Sequence, residues 1–365
     1  MPKEVISDKQ GIALLTLFIL GSSIVLGRGV EAQKDAWLAE LIGIGFALLM
    51  VLIYARLLAT FPRKDLFDIV EIVFGKIVGK MIGMLYIWFA LHLGALVLRN
   101  FGEFIMNVAL YKTPLAILIL IIGFLCFWVV REGIEILGRW AEFFIGIVIF
   151  LTFLAIFLLI PKMHINYIQP ILYHGMKPVM KGAFSVFAFP LAETILFTMC
   201  FSALKWQYSA YKVYIVGIFI GGLILMISTI TTILVLGTEI SATAYFPDYN
   251  VVRMIDMGDF LTRLEIIAAI VFMISGFIKA SICLFTVSKG IAKVFGYTDY
   301  RFVVMPMALL MMNLSYLIYD NIVEMQKWAF EVWRYYAFPF QVILPVLMLV
   351  ASEVKMRSRK RKKIV

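Results

Sequence analysis

The chain has 365 residues, 63% of them hydrophobic and 15% charged, with mean hydropathy +0.98 and formal net charge +10. A soluble globular protein of this length needs far more charge to cover its surface, so that class is excluded. The apolar residues fall instead into charge-poor runs of about 17–25 residues, the length of a membrane-crossing helix.

Ten spans follow in chain order, at roughly 10–28, 36–59, 80–110, 114–131, 139–160, 183–204, 209–238, 263–290, 302–320 and 334–353. The opening MPKEVISDKQ runs straight into the first with no small-residue cleavage site, so the first span is expected to be its own targeting signal. Between spans two and three, residues 65–79 (DLFDIVEIVFGKIVG) alternate acids with apolar residues at helical spacing and predict a helix lying in the membrane interface. The long mixed loop 239–262 is placed to fold over one mouth of the bundle. With the N-terminus inside, the inner segments carry 21 of the 33 Lys and Arg and the outer ones 10, so both termini are expected in the cytoplasm. The basic end KMRSRKRKKIV reads as an orienting signal against anionic lipid; with no folded domain around it, nucleic acid is not an expected partner. Cys126, Cys200 and Cys283 all lie in spans and read as packing thiols.

Two spans are interrupted. Span one carries Gly21-Ser22-Ser23 at its centre and Gly27 later; span six carries Pro190 inside FAFPLAET. A proline costs a helix interior roughly 3 kcal/mol, and the break is expected near Phe187–Phe189. First and sixth are corresponding members of two five-span halves. Since each half has an odd number of spans, the halves enter from opposite sides and are inverted repeats. Paired interruptions of this kind point to a central binding site, because backbone leaves the helix at membrane depth only where it lines a cavity or is buried in protein. Read singly, a proline is a kink and a Gly-Ser-Ser cluster a close helix contact.

Full charges within the spans are few. Glu193, just after the span-six break, and Lys279 in span eight lie at similar depth and are expected to face the bundle interior. They read either as a gate, proton-responsive site or ligand contact, or as a structural ion pair. Arg99 and Glu103 on span three are spaced i, i+4 and read as a local salt bridge or an outer vestibule contact. His92, near the centre of span three, reads as a packing histidine or a proton relay. No phosphate-binding glycine loop, HExxH or nucleophile elbow occurs, so neither an enzyme nor a cofactor or metal is expected.

These residues in this order resemble the endospore germination permease family, the B subunit of GerA-type germinant receptors, within the amino acid–polyamine–organocation transporter superfamily. The resemblance runs nearly end to end. It is carried by ISDKQ before the broken first span, DAWLAELIG (35–43), FGKIVGKMIGMLY (74–86), Arg99 with FGEFI (101–105), Thr113-Pro114, REGIEILGRWAEF (131–143), Glu193, and PFQVILPVLML with its basic end. It implies an all-α polytopic membrane protein of ten transmembrane helices, in two inverted five-helix repeats with broken helices 1 and 6. Residues 1–353 would form a single permease-like domain (repeat one about 10–160, repeat two about 183–353), and 354–365 a basic cytoplasmic tail. It further implies a multi-pass protein of the spore inner membrane that works with an A subunit and a lipoprotein C subunit and senses a small nutrient, often an amino acid; a secondary amino-acid transporter of the same fold is the alternative. Superfamily members bind ligand between spans one, three, six and eight. That places the candidate site at Gly21, Ser22, Ser23 and Gly27, at Phe187, Ala188, Phe189 and Glu193, near Ala95 and Arg99, and at Ser275 and Lys279. Two departures stand out. Arg28-Gly29 follows span one where relatives often have proline, and Ser275 has no second hydroxyl beside it, which argues against a sodium site.

Overall fold

The structure, a computed structural model, describes residues 4–24, 26–206, 208–255 and 264–362. The first half begins with α1 (Asp8–Leu20), whose N-terminus is closed by a reciprocal cap: Ser7 Oγ accepts from Gln10 N at 3.2 Å and the Gln10 side chain accepts from Ser7 N at 2.9 Å. It stops at Gly21, and only a 3-10 turn, Ser22–Ile24, continues it. A second 3-10 segment, Val30–Asp35, leads into α2 (Ala36–Thr60), then α3 (Leu66–Phe74), α4 (Lys76–Val108), α5 (Leu115–Glu132) and α6 (Ile134–Leu159). Gly133 alone separates α5 from α6, at φ 106, where a side chain would be strained.

The second half opens with α7 (Met176–Ala188), which ends where Phe189 goes extended and Pro190 follows. After it come a 3-10 segment Leu191–Leu196, the single turn α8 (Phe197–Cys200), and another 3-10 turn Phe201–Ala203. Then come α9 (Ser209–Thr243), α10 (Pro247–Arg253), α11 (Ile266–Phe295) and α12 (Arg301–Leu317). Last are α13 (Ile322–Lys327), α14 (Trp333–Phe338) and α15 (Leu344–Lys362), joined through the wider π-type turns Trp328–Val332 and Pro339–Ile343.

The architecture is the all-α one expected, with ten spans and breaks in the first and sixth. Among the described residues, eight helical segments are long and apolar enough to cross a membrane; the other two spans are α1, cut to 13 residues by its break, and the 17-residue α12. In the most apolar 18-residue window of the broken segment Met176–Ala203, 83% is buried, against 17% for Ile134–Lys162, so the broken span lies at the centre and α6 at the periphery. α4 and α11 pack along each other through the core, and α1 lies against α6, α9 and α11. Ile6 pairs with the end of span six, accepting from Lys205 N and donating to Ala203 O at 2.9 Å.

Several boundaries differ from the sequence reading. Residues 65–79 are not one interfacial helix: Gly75, at φ 86, ends α3, and α4 begins at Lys76. The apolar face of α3 (Leu66, Phe67, Ile69, Val70, Val73) is buried against the bundle rather than in lipid. Asp65 and Asp68 cap it reciprocally, and Asp65 also meets Lys289 on α11 at 3.1 Å. Burial alone would raise the Asp65 carboxyl, but Lys289 and Lys293 beside it reverse that and hold it below its ordinary value. The last span starts at Ile322 rather than 334, and helix continues through the basic tail to Lys362; residues 363–365 lie outside the described residues. The break in span six falls at Phe189–Pro190. α3 and α4 meet closely at Gly79, where an added Cβ would sit 2.6 Å from Glu71 Cα and 2.7 Å from Glu71 N. Those are backbone atoms that cannot swing aside, so Gly79→Ala is expected to cost about 1–3 kcal/mol. Denaturant unfolding in micelles measures it, and unchanged stability would mean α3 is not clamped here.

Candidate functional site

The two breaks meet through Lys279. Its Nζ lies 2.5 Å from Glu193 Oε2, and both side chains are fully buried. The ammonium also sits over the rings of Phe18 and Phe189, 5.1 and 4.9 Å from their centroids, so its remaining face is met by aromatic π density. The Lys279 stem needs Gly21: a Cβ there would stand 2.7 Å from Lys279 Cδ. One side chain from α11 thus runs past the break in span one to a carboxylate after the break in span six.

Beside this pair is a small pocket. It is lined by Ser22, Leu26, Phe189 and Glu193 from the two breaks and by Leu93, Leu96, Val97 and Asn100 on α4. Tyr319, from the connection after α12, and Met325, Trp328, Ala329 and Trp333, from the last span, complete the lining. A second small cleft shares Leu26, Phe189, Ala329 and Trp333 and adds Gly27, Arg28, Ser185 and Arg334.

Two main-chain acceptors at the breaks, Ala188 O and Ser23 O, are taken by the protein itself. Ala188 O accepts from Trp333 Nε1 at 3.2 Å and Gln341 Nε2 at 2.8 Å. Ser23 O accepts from Arg28, and Ser23 Oγ donates back to Ile19 O at 2.5 Å. The last span can reach in because its own ladder is interrupted. Pro345 has no N–H to offer Gln341 O four residues back, and Tyr54 O–H takes that oxygen at 2.5 Å. Tyr86 O–H donates to Phe340 O at 2.9 Å.

Of the residues singled out from sequence, Ser22, Phe189 and Glu193 line the cavity, and Gly27 lines the adjoining cleft. Gly21 and Lys279 are the contact beneath it. Phe187 is buried with its ring 6.4 Å from that of Phe46, and Ser275 is buried one turn before Lys279 with no partner for its Oγ; neither lines the cavity. Ala95 is fully buried in helix packing, and the α4 residues that do form the wall sit at 93, 96, 97 and 100. Arg99 pairs with Glu103 at 2.9 Å and donates to Tyr316 O at 3.0 Å, joining α4 to α12 away from the cavity. His92 is stacked on Trp88, with Trp328 and Tyr336 edge-on.

Sequence reasoning passed over Arg28, counting it as a loop charge. Its side chain is 2% exposed and meets Glu40 Oε1 at 3.0 Å, Asp248 Oδ2 at 3.2 Å and Thr229 Oγ1 at 3.1 Å. It therefore holds α2, α9 and α10 to the carbonyl of the first break. Of the expected loop 239–262, the first residues continue α9 to Thr243 and α10 follows, packed on α9 and α11; residues 256–263 lie outside the described residues. Gln341 was also passed over, although a lone amide in the apolar run PFQVILPVLML is itself a signal.

Residues 5–323 match the family described as spore germination protein. The chain belongs to the spore germination permease family. Spore germination protein KB of Bacillus subtilis (strain 168) is 28% identical over 367 residues, covering 100% of this chain and 98% of that relative. Among solved structures, the nucleobase-cation-symport-1 family transporter Mhp1, in a closed conformation with bromovinylhydantoin bound, superposes with TM-score 0.67 at 11% identity, over 95% of this chain and 78% of its own. MhsT in complex with L-phenylalanine gives TM-score 0.67 at 13% identity, over 96% and 89%. At those identities the likeness is one of fold. This germination permease therefore carries its central cavity within a transporter architecture.

Proposed function

We propose that this permease is the nutrient-sensing subunit of a germinant receptor in the spore inner membrane, with both termini on the cytoplasmic side. In this reading a small nutrient, an amino acid, enters the cavity at the two breaks, and the protein signals together with an A subunit and a lipoprotein C subunit. The observation that carries the reading is a pocket lined by residues of both breaks, beside a buried ion pair, in a chain of the germination family. Ligand there shifts the arrangement of the broken spans only by its difference in affinity for the two arrangements. The family is not an enzyme family, and no catalytic turnover is expected.

A thermal-shift screen of the purified chain against amino acids, sugars and nucleosides tests it. Stabilisation follows mass action, about 2.7 kcal/mol at one hundred times Kd. A cognate nutrient is expected to raise the melting midpoint, and a filling substitution, Ser22→Phe, to abolish that rise. A flat screen in a folded, monodisperse preparation would remove the reading. The transporter fold of Mhp1 and MhsT favours one alternative, a secondary amino-acid transporter. Uptake into proteoliposomes by this chain alone, driven by a proton gradient, would establish that alternative instead.

A further inference from the structure

We propose that the outward side of α12 docks a second copy of this chain, with Asn313 of each copy paired across a two-fold axis along the membrane normal. The proposal is independent of what the central pocket binds. α12 packs on α4, α5 and α11, and its inward side, at Val304, Ala308, Met311 and Ser315, is fully buried. Its other side is exposed at Phe302, Pro306, Leu309, Asn313 and Tyr316. Those positions are 4, 3, 4 and 3 residues apart, the seam spacing of paired helices. Any lipid-facing helix side has that spacing, and the residue that sets this one apart is Asn313. On the neighbouring α5 the exposed positions from Ile117 to Trp128 are all apolar.

Asn313 stands twelve residues after Arg301 and seven before Asp320. At the helical rise that is about 18 Å and 10 Å from the charged ends of the span, inside the hydrocarbon. Among the described residues its side chain has no hydrogen-bond partner within the chain. Acyl chains offer none, and an asparagine is too short to reach the head groups as lysine or arginine would. The amide is satisfied when another helix brings a donor and an acceptor to the same depth. A carboxamide carries both, so it is complementary to itself. Two copies inserted in one bilayer share one orientation, and a two-fold axis along the normal sets each residue against its own equivalent. A second copy therefore supplies the matching group at the matching depth by construction; a different chain would need one placed there separately. One amide on an otherwise apolar seam also fixes register and partner number. The seam is held ready: Arg99 of α4 donates to Tyr316 O at 3.0 Å and pins the outer end of α12 to the bundle.

The test uses the full chain in liposomes. Leu309→Cys, on the seam, is set beside Leu120→Cys, which is 52% exposed on α5 at a similar depth and reports random collision. Cys126, Cys200 and Cys283 are buried and give the background. On mild oxidation Leu309→Cys is expected to form covalent dimers at least about tenfold faster than Leu120→Cys, since seam positions of a parallel pair lie within disulfide reach. Energy transfer between labelled copies, followed as protein is diluted into lipid, gives the dissociation constant. Asn313→Leu is expected to weaken pairing about tenfold and Asn313→Gln to recover most of it. The substituted positions face outward, so every variant is expected to fold, which circular dichroism checks. Equal cross-linking at the two positions, a monomer at every dilution, or a dimer indifferent to Asn313→Leu overturns the proposal. So does cross-linking of Leu309→Cys in spore membranes to a different chain alone, which would assign this side of α12 to another subunit.

Discussion

Lys279→Met is expected to destabilise the protein by about 3–5 kcal/mol, and adding Glu193→Leu to restore most of that loss. The single change leaves the Glu193 carboxylate with neither its ammonium nor water, in a site where both side chains are fully buried. It also removes the charge resting on the rings of Phe18 and Phe189. Desolvating the pair cost nearly what their attraction returned, so replacing both by apolar groups is close to neutral, while removing one is not. The double variant should therefore fold. Unfolding in mixed micelles reports the stabilities. A single variant as stable as the parent, or a double variant no better than the single, would contradict the account of the pair.

Arg28→Met is expected to be equally damaging, about 3–5 kcal/mol, for a different reason. Arg28 stands between Glu40 and Asp248 and also donates to Thr229 Oγ1 and to the Ser23 carbonyl. Methionine would leave two carboxylates facing one apolar side chain and free the first break's carbonyl. Glu40 and Asp248 keep one further donor each, Thr229 at 2.5 Å and Thr232 at 2.6 Å, which hold the acceptors without neutralising them. Arg28→Lys should recover less than half of the loss, because a single ammonium cannot span partners that a planar guanidinium fork reaches together. Hydrogen exchange is the direct readout: amides of α10, Pro247–Arg253, should lose protection in both variants. Protection retained in Arg28→Met would show that α10 is held by its apolar face alone.

Hydrophobic run length and its interruptions account for what could be read in advance. Lipid offers backbone groups no partners, so a crossing segment must be a closed helix, and a proline or glycine cluster inside one announces an exception. That constraint is local, and it located ten spans, the breaks in the first and sixth, and the paired five-span halves. The ionic cost of Glu193 and Lys279 in lipid is equally local, which is why both could be singled out as interior residues. Distances across the bundle are not local. Glu193 and Lys279 are 86 positions apart and Arg28 and Asp248 are 220 apart, so only packing could say who meets whom. The same holds for Trp333 and Gln341, whose reach to Ala188 depends on where the last helix is widened. From the chain alone, then, come the membrane class, the span count and the two weak points. Assembly alone supplies which freed groups are already answered, like the Ala188 carbonyl, and which, like Glu193 Oε1, are left without a partner, because hydrogen-bond satisfaction is a property of neighbours in space.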